Sequence, residues 1–98
     1  MAEHWMDDEN YEIELKRLKE SGGLDKVAKL IKSQADVWIK RSSGAWQKGK
    51  TWVTEHDGLM VGVKWYDEKR GKVLGKYVNT ADFLQWQEKD HGERELIK

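Results

Sequence analysis

Reactive side chains are scarce in this chain. Its 98 residues include three histidines, His4, His56 and His91, and no cysteine. None of the histidines stands in a ligand spacing such as His-x-x-x-His, and no Gly-x-x-x-x-Gly-Lys-Ser/Thr phosphate loop occurs. Without cysteine there is no disulfide, no thiolate nucleophile and no Cys-based zinc site. His4 with Asp7 and Asp8 could hold a metal only adventitiously, as solvated terminal residues. His56 and Asp57 are adjacent beside a hairpin end, and neighbours in a strand point to opposite faces, which argues against an acid–base pair. The carboxylates concentrate at the chain ends, where a solvated helix face accounts for them. The expectation is a protein that is not an enzyme, with no catalytic residues, no metal and no cofactor.

Binding chemistry is better supplied. The formal charge is zero, yet residues 1–20 carry seven acids and three bases, and residues 80–98 five acids and three bases. Residues 21–79 carry six acids and twelve bases, together with Trp38, Trp46, Trp52 and Trp65. A basic, tryptophan-rich middle between acidic ends points to an anionic partner. Lys48, Lys50, Lys64, Arg70, Lys72 and Lys76 fall on predicted strands and their turns. Lys64 is expected on the sheet face opposite the core, beside Met60 and Tyr66 and near the small Gly62. Trp46, in Ser-Gly-Ala-Trp-Gln-Lys-Gly-Lys, reads as an exposed loop residue between glycines and lysines, with packing over the sheet edge as the equal alternative. Trp46, Lys48, Lys50, Lys64, Tyr66, Arg70, Lys72 and Lys76 are thus the candidate nucleic-acid contacts: cations track a backbone while aromatics stack on bases. The competing explanation is that these cations only keep a small sheet soluble and blunt its edges.

Ninety-eight residues make one domain, 1–98, with a limited core. Six Trp, three Tyr and one Phe offset a balance of 38% apolar and 37% charged residues, so disorder of the whole chain is not expected. Residues 1–7 and 93–98 are expected to be poorly ordered. The opening residues have neither a basic leader nor an apolar core, and no apolar run approaches the ~20 residues of a membrane span. A chain this small without disulfides fits a reducing compartment, so a cytoplasmic location and no membrane partner are expected.

The elements that must position these residues follow from periodicity. Tyr11, Leu15 and Leu18 share a helical face over 8–20, although Tyr11, Ile13 and Leu15 also alternate as a strand would. Ser21-Gly22-Gly23 ends that helix. Leu24, Val27, Ala28, Ile31, Ala35 and Trp38 predict a second helix over 24–41. Residues 50–78 alternate with a period of two. Asp57-Gly58 suits a two-residue type I′ turn, pairing His56 with Leu59 and Trp52 with Val63. The core face would carry Trp52, Thr54, Leu59, Val61, Val63 and Trp65. For strand 72–78, a five-residue loop turns Val73 and Tyr77 inward, and a four-residue loop turns Leu74 and Val78 inward. Thr80 caps a helix over 81–90, stopped by Gly92. The fold class is α+β, in the order α-α-β-β-β-α: two N-terminal helices, a three-stranded antiparallel meander and a C-terminal helix.

Residues 50–89 carry a partial likeness. Lys-Trp-Tyr-Asp-Glu-Lys-Arg-Gly-Lys at 64–72, Gly-Lys-Tyr-Val-Asn-Thr at 75–80 and a helix with Phe83 and Trp86 resemble the three-stranded sheet plus helix of phage integrase N-terminal and AP2-type DNA-binding domains. The resemblance implies a sheet entering the major groove, with Lys64, Arg70, Lys72 and Lys76 as contacts. The same segment is similar to the strand-turn-strand-helix end of PC4-like single-stranded DNA binders. Glu55 in a strand and the acidic 82–95 stretch depart from both patterns, and the helical N-terminal half fits neither.

Two functions remain open. One is a nucleic-acid-binding domain using the basic, aromatic-bearing sheet face. The other is a protein-binding inhibitor or adaptor, for instance from a phage or another mobile element, acting on a nucleic-acid-handling partner through its charge-segregated surface. An exposed Val53, Met60 and Tyr66 face would also fit a homodimer.

Overall fold

A computed structural model describes residues 8–89 as an α+β unit in which one face of a curled sheet is covered by helices. His4, Trp5, His91 and Gly92 lie outside the described residues, as do the two expected terminal tails. Helix α1 spans Asp8–Ser21, so the helical reading holds over the alternating one: Leu18 is buried, Tyr11 and Leu15 are half-buried, and Ile13 is exposed. Gly22, at φ 80°, takes the left-handed conformation that turns the chain into α2, Gly23–Ser33.

The expected long helix over 24–41 is broken. Gln34 adopts φ 56° and ψ 36°, and its N–H donates to the Leu30 carbonyl, which closes α2. Residues 37–40 then form strand β1, burying Val37 and Ile39 in a period of two. Ala35 and Trp38 sat on the helical stripe by sequence spacing. The β-branched Val37 and Ile39 instead find a partner strand, and tertiary pairing overrides the helical pattern. The sheet therefore has four strands rather than three. Strand β2 is Trp46–Glu55, β3 Met60–Asp67 and β4 Lys72–Asn79, in the antiparallel order β1-β2-β3-β4.

Near its turn, the β2–β3 hairpin has the expected register, with Thr54 opposite Val61 and Glu55 opposite Met60. Asp57 and Gly58 take the positive φ that the Asp-Gly turn requires, 59° and 103°, and His56 before them is left-handed as well, at φ 55°. The Leu59 N–H donates to the His56 carbonyl at 3.0 Å across these two residues, within a short helical turn at His56–Gly58 that also docks on the helices. The Tyr11 hydroxyl donates to the Asp57 carboxylate, and the buried Thr80 hydroxyl donates to the Gly58 carbonyl. That hydrogen bond raises the Tyr11 pKa, because it holds the phenol proton in place.

Further along, Trp52 is an extra residue. Pairing jumps from Val53–Gly62 to Thr51–Val63, a β-bulge. The bulge inverts the alternation of β2, so Thr51 is buried in place of Trp52, and Trp52 is 49% exposed. Thr54 is also exposed rather than in the core. Tyr66 pairs with Val73 and Asp67 with Lys72, the four-residue-loop register, so Leu74 and Val78 turn inward.

The core joins Val27 of α2, Val37 and Ile39 of β1, Val61, Val63 and Trp65 of β3, and Phe83 of the last helix, α3, Thr80–Glu88. Asn79 caps α3 by accepting from the Ala81 and Asp82 amides, one residue earlier than the Thr80 cap expected from sequence. The sheet curls enough for α3 to touch both of its edge strands, β1 and β4. Gln87 completes the β1 edge: its Oε1 accepts from the Trp38 N–H and its Nε2 donates to the Trp38 carbonyl, both at 2.8 Å.

Candidate functional site

With the helices on one face, the other face of β2-β3-β4 meets solvent, and its side chains follow from register. Gly62 lies opposite Tyr77, Lys64 opposite Gly75, and Tyr66 opposite Val73. The bulge adds Trp52 to this face. Trp52, Tyr66, Val73 and Tyr77 are 49%, 55%, 61% and 46% exposed. In a chain of this size such a cluster is a surface to be explained rather than scattered exposure.

Gly62 shapes the platform. A Cβ there would lie 2.9 Å from Trp52 Nε1 and 2.9 Å from a Val53 methyl, so the absence of a side chain lets the indole lie over the strand. The ring meets Tyr77 at 6.2 Å between centroids, tilted 45°. Both rings keep about half of their surface for a further partner.

Cations border the rings. Lys50 stands directly opposite Lys64 across the β2–β3 ladder, a like-charge pair that destabilises a sheet when unrelieved. Lys50 swings away: its Nζ lies 2.7 Å from Asp36 Oδ1 and donates to the Gln34 carbonyl at 2.6 Å. The Lys50 ammonium in turn holds the Asp36 carboxyl below the usual carboxylate range. Lys64 has no carboxylate within ion-pair distance among the described residues. A shallow groove of about 310 Å³ runs between Asp36, Lys48, Lys50, Lys64, Tyr66 and Val73. Lys48 sits over the Trp38 ring, 5.0 Å from its centroid.

The eight sequence candidates divide into three places. Lys48, Lys50, Lys64 and Tyr66 share the open face. Trp46 is the first residue of β2 rather than a loop residue, and it packs edge-on to Trp86 at 6.2 Å beneath Lys40. Lys76 projects to the helix-covered side, where its Nζ donates to the Lys40 carbonyl and approaches the Trp86 ring. Burial there, with Arg41 nearby, lowers the Lys76 pKa. Arg70 lies in the β3–β4 turn, where it pairs with Asp67 at 3.5 Å, and Lys72 is the first residue of β4, opposite Asp67. Trp52 and Tyr77 were not among the site candidates. No sequence signal announces the bulge that exposes the first, and the open strand register concealed the second.

At the same turn end, a polar cluster braces Tyr66. Arg41 stacks on Trp65 at 4.9 Å, donates to Gln47 at 2.7 Å and lies 3.7 Å from Asp67. Gln47 in turn donates to the Tyr66 carbonyl. Asp67 accepts from the Lys69 and Arg70 amides, which fixes the turn. Its polar groups satisfy one another, as a strut does. Among the described residues no three His, Asp or Glu side chains gather as a metal site, and no helix is long and apolar enough to cross a membrane. No family model, curated protein or solved structure shows a significant match to this chain.

Proposed function

We propose that this chain is a non-enzymatic binder of single-stranded nucleic acid, and that the open β2-β3-β4 face is its contact surface. One observation carries the reading: Trp52, Tyr66 and Tyr77 expose their rings around Lys64, a cation set against Lys50 instead of an acid. Exposed rings reward a ligand with free π-faces, and an unstacked single strand offers them, whereas a duplex keeps its bases stacked inside. Lys50 is already engaged by Asp36, so a phosphate on this face would meet Lys64, which has no carboxylate within ion-pair distance among the described residues. Of the four contacts that a major-groove mode would use, only Lys64 belongs to this face; Lys72 and Lys76 lie on the other parity of β4. The single-stranded mode has the better support for that reason.

Fluorescence anisotropy with labelled single-stranded and duplex oligonucleotides of equal length tests the reading. Two to three neutralised phosphates predict a log–log salt slope of about −2 for a single strand. Tighter binding to the single strand with that slope is the expected result. No binding of either oligonucleotide at low salt would remove the proposal. Retention of a protein partner on nuclease-treated material, with no oligonucleotide bound, would favour the adaptor role instead.

A further inference from the structure

The two edges of the sheet are treated differently. The β1 edge is four residues long, and Gln87 occupies the Trp38 N–H and carbonyl. The β4 edge is eight residues long, and among the described residues no backbone or side-chain group bonds to its outer side. Natural sheets usually blunt such an edge with lysines, bulges or a covering element. Here Lys76 turns away to the Lys40 carbonyl, and Gly75 at the strand centre is exposed with no side chain to obstruct approach.

The register identifies which groups are free. The Thr80 N–H donates to the Leu59 carbonyl at 2.9 Å, one step beyond the Met60–Asn79 pair. Hydrogen-bonded and non-bonded pairs alternate along an antiparallel ladder. Val61–Val78, Val63–Lys76 and Trp65–Leu74 are therefore the bonded pairs. The N–H and C=O groups of Val73, Gly75 and Tyr77 then point outward, away from β3.

We infer that β4 pairs with β4 of a second copy of this chain, antiparallel and centred on Gly75. That register sets Val73 against Tyr77 of the second copy, Gly75 against its equivalent, and Tyr77 against Val73. Each of these pairs exchanges two hydrogen bonds and satisfies all the outward groups. An aromatic facing a β-branched residue is a favourable cross-strand pair, and here it occurs twice on the solvent face. On the other face Leu74 meets Lys76 and Lys72 meets Val78, so no like charges stand opposite. A centre at Val73 or Tyr77 would run the pairing into the 68–71 turn or into α3. The product is one eight-stranded sheet of two-fold symmetry. This inference does not depend on nucleic-acid binding, and it is tested without oligonucleotide.

Sedimentation velocity on nuclease-treated protein, from micromolar to millimolar concentration, should approach twice the 11.5 kDa of one chain. Val73→Pro removes an outward N–H that the β3 ladder does not use, a position where an edge strand accepts proline. It should restore the monomer with an unchanged circular dichroism spectrum. If that variant fails to fold, cysteines decide. The chain has none of its own, and a Val73→Cys protein mixed with a Tyr77→Cys protein should form a mixed disulfide on mild oxidation. Neither variant should cross-link efficiently alone, because like positions would sit four residues out of register. A monomer at every concentration would overturn the inference. So would a dimer indifferent to Val73→Pro, or cysteine variants that couple alone as readily as when mixed.

Discussion

Replacing Trp52 with alanine separates the proposed contact from the fold. The indole is 49% exposed, so about half of its ~150–250 Å², roughly 100 Å², faces solvent and the rest lies on Gly62 and Tyr77. Covering that exposed half with a base is worth at most about 2.5 kcal/mol at 25 cal/mol per Å². Alanine substitution at stacking sites typically costs ~1–3 kcal/mol per base, in the same range. A loss of about 1.5–2 kcal/mol corresponds to a 10- to 30-fold rise in Kd for a single-stranded oligonucleotide. The covered half also stabilises the fold, by at most about 2.5 kcal/mol. The variant must therefore be shown folded by circular dichroism at low temperature before its anisotropy titration is read. Ile13→Ala is the control, because Ile13 is 43% exposed but lies on α1. Trp52→Ala that stays folded and binds within twofold of the parent would refute the platform.

Three further outcomes test the scaffold. Gln87→Ala breaks the two bonds to Trp38 and one to the Phe83 carbonyl; it should cost about 1–3 kcal/mol and speed hydrogen exchange at the Trp38 amide. Thr51→Val should raise stability by about 1 kcal/mol in thermal melts, because the Thr51 hydroxyl is buried with no hydrogen-bond partner among the described residues; a lower melting temperature would show that the hydroxyl is bonded. Lys76 has a pKa lowered mainly by burial and then by Arg41, so the unfolded chain holds its proton to higher pH than the folded one. Its contribution therefore makes folding more favourable as pH rises through the lowered pKa toward the ordinary value of 10.5. Lys76→Met should melt higher at neutral pH, with the gap narrowing toward pH 10.5; a gap constant across that range would contradict the assignment.

Periodicity disclosed the α+β class, the α1 helix and the β2–β3 register near the turn, because those patterns are local and face a single core. Trp38 shows why the spacing predicts a longer second helix than the one that forms. Its spacing from Leu24, Val27 and Ile31 is helical, but Gln34 breaks the helix and Val37 and Ile39 pair with Gly49 and Gln47, which no local pattern announces. Trp52 failed for another reason: a bulge shifts alternation by one residue while leaving composition unchanged. Lys64 and Tyr66 were legible as open-face residues because β3 has no bulge, and Met60 to Tyr66 alternate without a break. The division of the cations between two faces depended on the β4 register, which only the length of the 68–71 turn decides.

The hydrogen bonds between Gln87 and Trp38 join positions 49 residues apart in sequence. During synthesis β1 leaves the ribosome long before α3, and in that interval Gln87 is not yet there to bond the Trp38 backbone. Completion of that rim is a late, non-local event, so the entropy of closing a long loop weighs on the rate at which the domain matures. A chain arrested before residue 87 would carry two unsealed rims and would be the species most exposed to misassembly.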